Sequence, residues 1–122
     1  MEIGEKGGVN ITQENDIAVI GFKAGSICVS EEISNISKQI EDFIEQKKPK
    51  AVIVDFGPVK FFSSQVLGII INIRAKTRAY DGEVVISGIN PQLYRVFKIT
   101  NLDKIFRFFE NQEIALRELK KD

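Results

Sequence analysis

The fold of this 122-residue chain is decided by residues 51–78, which read AVIVDFGPVKFFSSQVLGIIINIRAKTR. Residues 51–56 form a nearly continuous apolar run rich in β-branched side chains, which predicts a central strand buried on both faces. Gly57 and Pro58 end this strand, because proline has no backbone N–H and glycine allows unusual backbone angles. From Val66 onward the apolar residues recur at helical spacing, so a helix is predicted over residues 64–78.

Two serines, Ser63 and Ser64, stand where this helix is predicted to begin. A hydroxyl at such a position can accept a hydrogen bond from the unpaired N–H groups of the first helical turn. The N-terminus of a helix is also positively polarised. The unit of strand, turn, two serines and helix therefore brings two hydroxyls to a polarised helix end, and the candidate site starts there.

A helical wheel of about 100° per residue divides this helix into two faces. The predicted core face carries Val66, Leu67, Ile70 and Ile71. The opposite, predicted surface face carries Gln65, Gly68, Ile69, Asn72 and Lys76. Gly68 costs roughly 1 kcal/mol relative to alanine inside a helix, but it leaves room for another backbone. This face is interpreted either as ordinary surface with one scattered isoleucine or as a small docking surface beside the serines.

The remaining chain surrounds this unit with alternating strands and helices. Residues 1–8 are polar and contain glycine, so a mobile start is expected. Further strands are predicted at residues 9–13, 17–22, 83–87 and 105–109, and further helices after Ser30, Asn90 and Asn111. The resulting order, ββαβαβαβα, predicts one α/β domain over residues 1–122, with a mainly parallel mixed sheet and an antiparallel N-terminal strand.

Composition argues against several functional classes. Lys plus Arg and Asp plus Glu both number 17, so no net field favours nucleic acid or an anionic membrane surface. The chain has no histidine and a single cysteine, Cys28, which excludes an internal disulfide and a cysteine metal cage. No apolar signal-peptide region or membrane-spanning run is present. A cytoplasmic protein without a metal or cofactor is therefore expected.

Motifs of catalysis are also absent from the sequence. Neither of the glycine-rich phosphate loops, G-x-G-x-x-G or G-x-x-x-x-G-K-[ST], occurs, and no serine has the G-x-S-x-G surroundings of a nucleophile elbow. Asp55, at the end of the central strand, is interpreted as a structural rather than a catalytic carboxylate. Lys60 is the only basic residue close enough to the helix start to support an anion site there. The sequence therefore predicts no enzymatic activity.

The residues around the two serines resemble the signature of STAS domains, the bacterial anti-sigma-factor antagonist family. That signature is an apolar strand, a Val-x-Phe-apolar step, and then Asp-Ser-Ser-Gly-Leu-Gly opening a helix. Residues 54–56 and 59–68 follow it here, and residues 88–91, 96–100 and 102–106 are similar to the closing half of the family. The resemblance extends from about residue 9 to about residue 119 and implies a STAS-like fold.

The resemblance also implies a function in signal transduction and transcription regulation. In the family, a serine at the start of this helix is phosphorylated by a partner kinase that is also the anti-sigma factor. The unphosphorylated domain binds that kinase and releases the sigma factor. By position, the resemblance places the phosphorylated residue at Ser64. A constitutive scaffold or transport-complex subunit without phosphorylation, or a binder of a small anionic ligand, remains as an alternative.

The sequence departs from the family signature at two places. Ser63 stands where the family usually has Asp, and Gln65-Val66 stands where it has Ser-Gly. The missing carboxylate either weakens recognition by a kinase or makes Ser63 itself the modified residue. The predicted protein-binding surface consists of Gly25, Ser26, Ser63, Ser64, Gln65, Gly68, Ile69 and Asn72. The sequence identifies neither the partner protein nor the oligomeric state.

Overall fold

The computed structural model describes residues 2–6, 9–22, 26–27 and 30–121. Its strands are β1 (Glu2–Lys6), β2 (Val9–Glu14), β3 (Ile17–Phe22), β4 (Ser26–Ile27), β5 (Ala51–Asp55), β6 (Phe61–Phe62), β7 (Glu83–Ser87) and β8 (Arg107–Phe109). Its helices are α1 (Ser30–Lys47), α2 (Gln65–Arg78), α3 (Pro91–Ile99) and α4 (Gln112–Lys121), with a short 3-10 helix at Leu102–Lys104.

Six of these strands form one sheet in the order β1-β2-β3-β5-β7-β8. The β1–β2 and β2–β3 pairs are antiparallel, whereas the β3–β5, β5–β7 and β7–β8 pairs are parallel. This arrangement confirms the predicted α/β class, the mixed and mainly parallel sheet and the interior position of β5. Strand β1 was not predicted, since residues 1–8 were expected to be a mobile start. The two-residue strands β4 and β6 were also not predicted, and they form a separate parallel pair.

The two faces of the sheet are covered by different helices. Alternate residues of β5 point to opposite sides, so Val52 and Val54 join one buried cluster and Ala51 and Ile53 join another. The larger cluster includes residues of α1, α2 and α3, and the smaller one includes residues of α4. Helix α4 therefore lies on the face opposite the predicted site.

Helices α3 and α4 begin after Asn90 and Asn111 as predicted, and both asparagines cap their helices. Asn90 has an extended backbone (φ −77°, ψ 162°), and its Oδ1 accepts a hydrogen bond of 2.9 Å from the Leu93 N–H. Asn111 Oδ1 accepts a bond of 2.8 Å from the Ile114 N–H. The last strand was predicted too early: β8 begins at Arg107, while Ile105 follows the 3-10 helix and is exposed.

Candidate functional site

The candidate site lies beyond the C-terminal end of β5, where the chain turns back into α2. After Asp55 the chain passes through the Gly57-Pro58 turn and β6 and then reaches the two serines. Strand β6 pairs with β4, which places the backbone of Ser26 beside that of Phe61. This pairing brings the backbone of Ser26 next to the strand that leads into the serine pair. Gly25, also predicted to belong to the site, lies outside the described residues.

Ser64 directly precedes α2 and is exposed, but its side chain does not cap the helix. Its backbone is already helical (φ −60°, ψ −19°), whereas a capping side chain needs an extended backbone such as that of Asn90. The first-turn N–H groups of Val66 and Leu67 instead donate to the carbonyl oxygens of Ser63 and Ser64. The prediction of hydroxyl capping was therefore wrong, and the Ser64 hydroxyl is not committed to the helix.

Ser63 differs from Ser64 in the position of its hydroxyl. Its Oγ is buried and has no hydrogen-bond partner among the described residues. Its carbonyl oxygen accepts a hydrogen bond of 3.0 Å from the Val66 N–H. An unpaired buried hydroxyl costs folding free energy on the order of 1–3 kcal/mol. The two adjacent serines thus present one outward and one enclosed hydroxyl.

The segment before the serines is held by two polar contacts. The Ser87 hydroxyl, which is fully buried, donates a bond of 2.7 Å to Asp55 Oδ1. Asn90 Nδ2 lies 3.3 Å from the carbonyl oxygens of both Val59 and Lys60. Asp55 therefore has the structural role that the sequence favoured, and the cap of α3 also fixes the chain leading into α2.

Aromatic packing anchors the same segment from inside. The rings of Phe56 and Phe62 are 5.4 Å apart, and Phe62 also packs on Phe97 at 6.4 Å. Because β6 is extended, its two side chains point to opposite sides, and Phe61 is 54% exposed. Phe61 was not among the residues predicted for the binding surface. The period-two alternation of a strand is the signal that could have identified it.

The helical wheel of α2 was wrong at two positions. Ile69, assigned to the surface, is only 8% exposed, and Ile71, assigned to the core, is 43% exposed. The buried stripe instead contains Val66, Leu67, Ile69, Ile70, Ile73 and Thr77. The reason is that α1 packs beside α2 and covers the side that includes Ile69. Ile69 is therefore removed from the predicted binding surface as a freely accessible residue.

A groove of about 720 Å³ separates the exposed faces of α1 and α2. The α2 side is formed by Gln65, Gly68, Ile69, Ile71 and Asn72. The α1 side is formed by Ile33, Ser34, Ser37, Lys38, Glu41, Asp42 and Glu45. Four predicted site residues of α2 thus lie together, but the α1 side was not predicted. The amphipathic pattern of α1 identified its buried side and gave no indication of which helix it would meet.

Charged side chains of α1 and α2 form ion pairs with each other towards the C-terminal end of α2. Lys76 Nζ donates a hydrogen bond of 2.6 Å to Glu45 Oε1 and lies 3.9 Å from Glu41 Oε1. The Ser37 hydroxyl donates a bond of 2.7 Å to Glu41 Oε2. The bond from Lys76 lowers the pKa of the Glu45 carboxyl, and the same bond raises the pKa of Lys76. The pair of Glu45 and Lys76 therefore remains ionised near neutral pH.

Gly68→Ala is expected to raise the free energy of unfolding by about 0.4–1 kcal/mol, since it removes the entropic penalty of glycine in a helix. Apart from the backbone of its own helix and its two chain neighbours, a Cβ at residue 68 would have no heavy atom of the described residues within 4 Å, so no clash opposes this gain. Chemical denaturation of the wild type and the variant measures the difference. A destabilised variant would contradict the open geometry described at this position.

None of the helices among the described residues is long and apolar enough to span a lipid bilayer.

The comparison with protein-family models matches residues 9–115 to the STAS domain. Among curated proteins, an anti-sigma F factor antagonist of Paenibacillus polymyxa is 24% identical over 85 residues, covering 70% of this chain and 73% of the relative.

Three solved structures share this fold. The anti-sigma-factor antagonist SpoIIAA in its unphosphorylated form is 17% identical with a TM-score of 0.82, covering 93% of this chain and 97% of that one. SpoIIAA of Bacillus in the phosphorylated form has a TM-score of 0.73 at 19% identity, with coverages of 91% and 98%. A sulfate transporter family protein of Wolinella succinogenes has a TM-score of 0.73 at 12% identity, with coverages of 89% and 88%.

Proposed function

The chain belongs to the STAS domain family, and we propose that it is a non-enzymatic regulatory module that binds a protein partner in the manner of an anti-sigma-factor antagonist. The proposed partner is a cytoplasmic serine kinase that also acts as an anti-sigma factor, and phosphorylation of Ser64 switches the interaction off. The binding surface contains Phe61, Ser64, Gln65, Gly68 and Asn72. The similarity to antagonists in the comparisons supports this class over the transporter alternative.

The observation that carries the proposal is that Ser64 is exposed at the N-terminus of α2 and that its hydroxyl makes no capping bond to the helix. No such bond therefore has to break before phosphorylation. The exposed ring of Phe61 lies three residues earlier in the chain and offers an apolar contact for a partner. The Ser64 hydroxyl and the Phe61 ring are thus close together in sequence. Together they suit a protein contact that a phosphate on Ser64 would disturb.

The geometry favours Ser64 over Ser63 as the modified residue. A kinase must bring the attacking hydroxyl in line with the transferred phosphoryl group. Ser63 Oγ is enclosed by the protein, whereas the Ser64 side chain faces solvent. Modification of Ser63 would require the start of α2 to open. This difference supports the assignment that the family resemblance makes by position.

A phosphate on Ser64 is compatible with the folded state. It adds about −1.5 to −2 charges at neutral pH. A negative charge at a helix N-terminus is stabilising by about 0.3–1 kcal/mol. The fold therefore tolerates the modification, and its effect falls on the partner, which meets a bulky dianion where it had contacted a hydroxyl.

We expect Ser64→Asp to weaken partner binding by at least roughly tenfold, because a charge enters a contact built for a neutral group. The partner is first captured from the native host with the wild-type protein and identified by mass spectrometry. Its affinity for each purified variant is then measured by calorimetry, and thermal melts report folding. Phosphopeptide mapping after incubation with the partner and ATP locates the modified serine.

Gln112→Glu is the matched control, since it adds one negative charge at the start of α4 on the opposite face of the sheet. This control variant is expected to bind like the wild type. Equal binding by Ser64→Asp and Gln112→Glu, with phosphate absent from Ser64, contradicts the switch and favours a constitutive scaffold. Phosphate found on Ser63 contradicts the assignment of the modified residue.

A further inference from the structure

The groove between α1 and α2 contains a glycine that the fold itself does not require. Gly68 is exposed, and an added Cβ would have no described atom within 4 Å outside its own helix. Its backbone is ordinary helix, since the positive-φ glycine of the described residues is Gly88. Glycine at an interior helix position costs about 1 kcal/mol relative to alanine. Because glycine has no side chain, the backbone of α2 at residue 68 is accessible in the groove, and another chain can approach it closely.

Apolar surface continues beside this strip. Ile71, one turn further along α2, is 43% exposed and also lines the groove. Ile33 of α1 and Ile69 of α2 form its deeper part, at 5% and 8% exposure. The groove thus combines a closely approachable floor with one accessible apolar side chain, which are the features that receive a packed helix.

The α1 wall of the groove is acidic although the chain as a whole is neutral. Glu41, Asp42 and Glu45 line it against a single lining cation, Lys38. Lys76 pairs with Glu45 and lies 3.9 Å from Glu41, so three carboxylates face two cations, Lys38 and Lys76, and one net negative charge is left. Since the local charge remains negative after these pairs, the charge of a complementary occupant is positive.

The groove is long enough for a short third helix. Its lining spans residues 33–45 of α1 and 65–72 of α2, which correspond to about three and a half and about two helical turns. A helix seated between two packed helices contacts both at interaxial distances of about 8–10 Å, and small residues permit the closer end of this range. Its apolar positions would face Gly68 and Ile71, and its cations would face α1.

We infer that the α1–α2 groove binds a cationic amphipathic helix of the protein partner, with Gly68 and Ile71 receiving its apolar side and Asp42 and Glu41 pairing with its Lys or Arg residues. This inference rests on the proposed function for the existence of a partner. It assigns to α1 a role in recognition, separate from the phosphorylation site at Ser64. Rim charges of this kind act on association rate and on its salt dependence.

The test is photo-crosslinking in the native host with a photoreactive amino acid at residue 72, in the groove, or at residue 112, on the far face. The expected adduct from residue 72 contains a partner peptide of net positive charge with apolar residues at three- and four-residue spacing. Residue 112 is expected to give no such adduct. A neutral or acidic peptide, or the same adduct from both positions, would overturn the inference.

Charge reversal and steric blocking provide the second arm. Asp42→Lys is expected to reduce the yield of the residue-72 adduct roughly tenfold, while Glu113→Lys on α4 is expected to leave it unchanged. Gly68→Leu fills the open strip with a good helix former and is expected to reduce the adduct while the protein still melts cooperatively. Full yield from Asp42→Lys or Gly68→Leu overturns the groove assignment.

A third reporter position separates this inference from the proposed function. Residue 60 is exposed in the segment leading to the serines. An adduct from residue 60 that is lost in Ser64→Asp, together with no adduct from residue 72, supports the switch and overturns the groove. A basic adduct from residue 72 that persists in Ser64→Asp supports the groove and contradicts the switch.

Discussion

Ile70→Ala is expected to lower the free energy of unfolding by about 2–5 kcal/mol, the range found when a buried aliphatic side chain is truncated. Ile70 is 1% exposed and belongs to the larger buried cluster, between α2 and the sheet. Its truncation removes apolar burial and leaves a cavity that neighbouring side chains fill only in part. Chemical denaturation monitored by circular dichroism measures the loss, which corresponds to roughly 3–6 °C of melting temperature per kcal/mol.

Ile71→Ala is the matched control, because it makes the same chemical change at the next residue of the same helix. Ile71 is 43% exposed, and alanine is the better helix former, so a change below about 1 kcal/mol is expected. Equal losses from the two truncations would restore the original wheel, in which both residues were core. A small loss from Ile70→Ala alone would place α2 in a different rotation on the sheet.

The architecture was largely predictable because each of its signals is local. The β-branched run of β5, the Gly57-Pro58 break and the helical spacing of α2 lie within one segment of sequence. Asn90 and Asn111 cap their helices through short contacts three residues ahead. Such signals do not depend on the rest of the fold, and the parallel order of the sheet follows from alternating strands and helices.

Errors appeared where a neighbouring element decides the outcome. The helical wheel placed Ile69 with its polar neighbours, but helix α1 covers that side of α2. This contact is distant in sequence, since Lys76 of α2 and Glu45 of α1 are 31 residues apart. A wheel describes one helix against one surface, and α2 packs against both the sheet and α1. The α1 wall of the candidate groove was missed for the same reason.

The serine pair shows a different limit of sequence reasoning. Ser63 and Ser64 are both good capping residues by type, but capping requires an extended backbone at the residue itself. Strand β6 and its pairing with β4 bring the chain into α2 with Ser64 already helical. The residue type therefore predicted the helix start correctly and the use of the hydroxyl wrongly. The uncommitted hydroxyl is the feature on which the proposed switch depends.

Gly88→Ala is expected to lower the free energy of unfolding on the order of 2–4 kcal/mol, from left-handed backbone strain and from overpacking. Gly88 has φ +67°, and a Cβ there would lie 3.0 Å from Asp55 Oδ1 and 3.1 Å from the Gly57 backbone. Asp55 cannot move aside freely, because it accepts the hydrogen bond of the buried Ser87 hydroxyl. Urea denaturation of the variant and the wild type measures the loss.

Gly57→Ala is the matched control, because Gly57 also lies next to the Asp55 carboxylate and close to Gly88. The three atoms nearest to a Cβ at residue 57 would all belong to the Asp55 carboxylate, the closest at 3.3 Å, and the φ of Gly57 is not in the left-handed region. A loss below about 1 kcal/mol is expected for this exposed residue. A loss equal to that of Gly88→Ala would mean that a side chain is tolerated no better at residue 57 than at residue 88, which would contradict the closer approach described for Gly88.

Gly88→Asn separates strain from crowding, because asparagine tolerates the left-handed conformation better than alanine but carries the same Cβ. The described chain already places non-glycine residues at positive φ, among them Asn15 and Asn101, in exposed turns. The fold therefore tolerates the strain of a left-handed backbone at a non-glycine residue. What distinguishes Gly88 is its close approach to Asp55 and Gly57. We expect Gly88→Asn to lose nearly as much stability as Gly88→Ala, and a near-wild-type melting curve for Gly88→Asn would assign the requirement to backbone conformation instead.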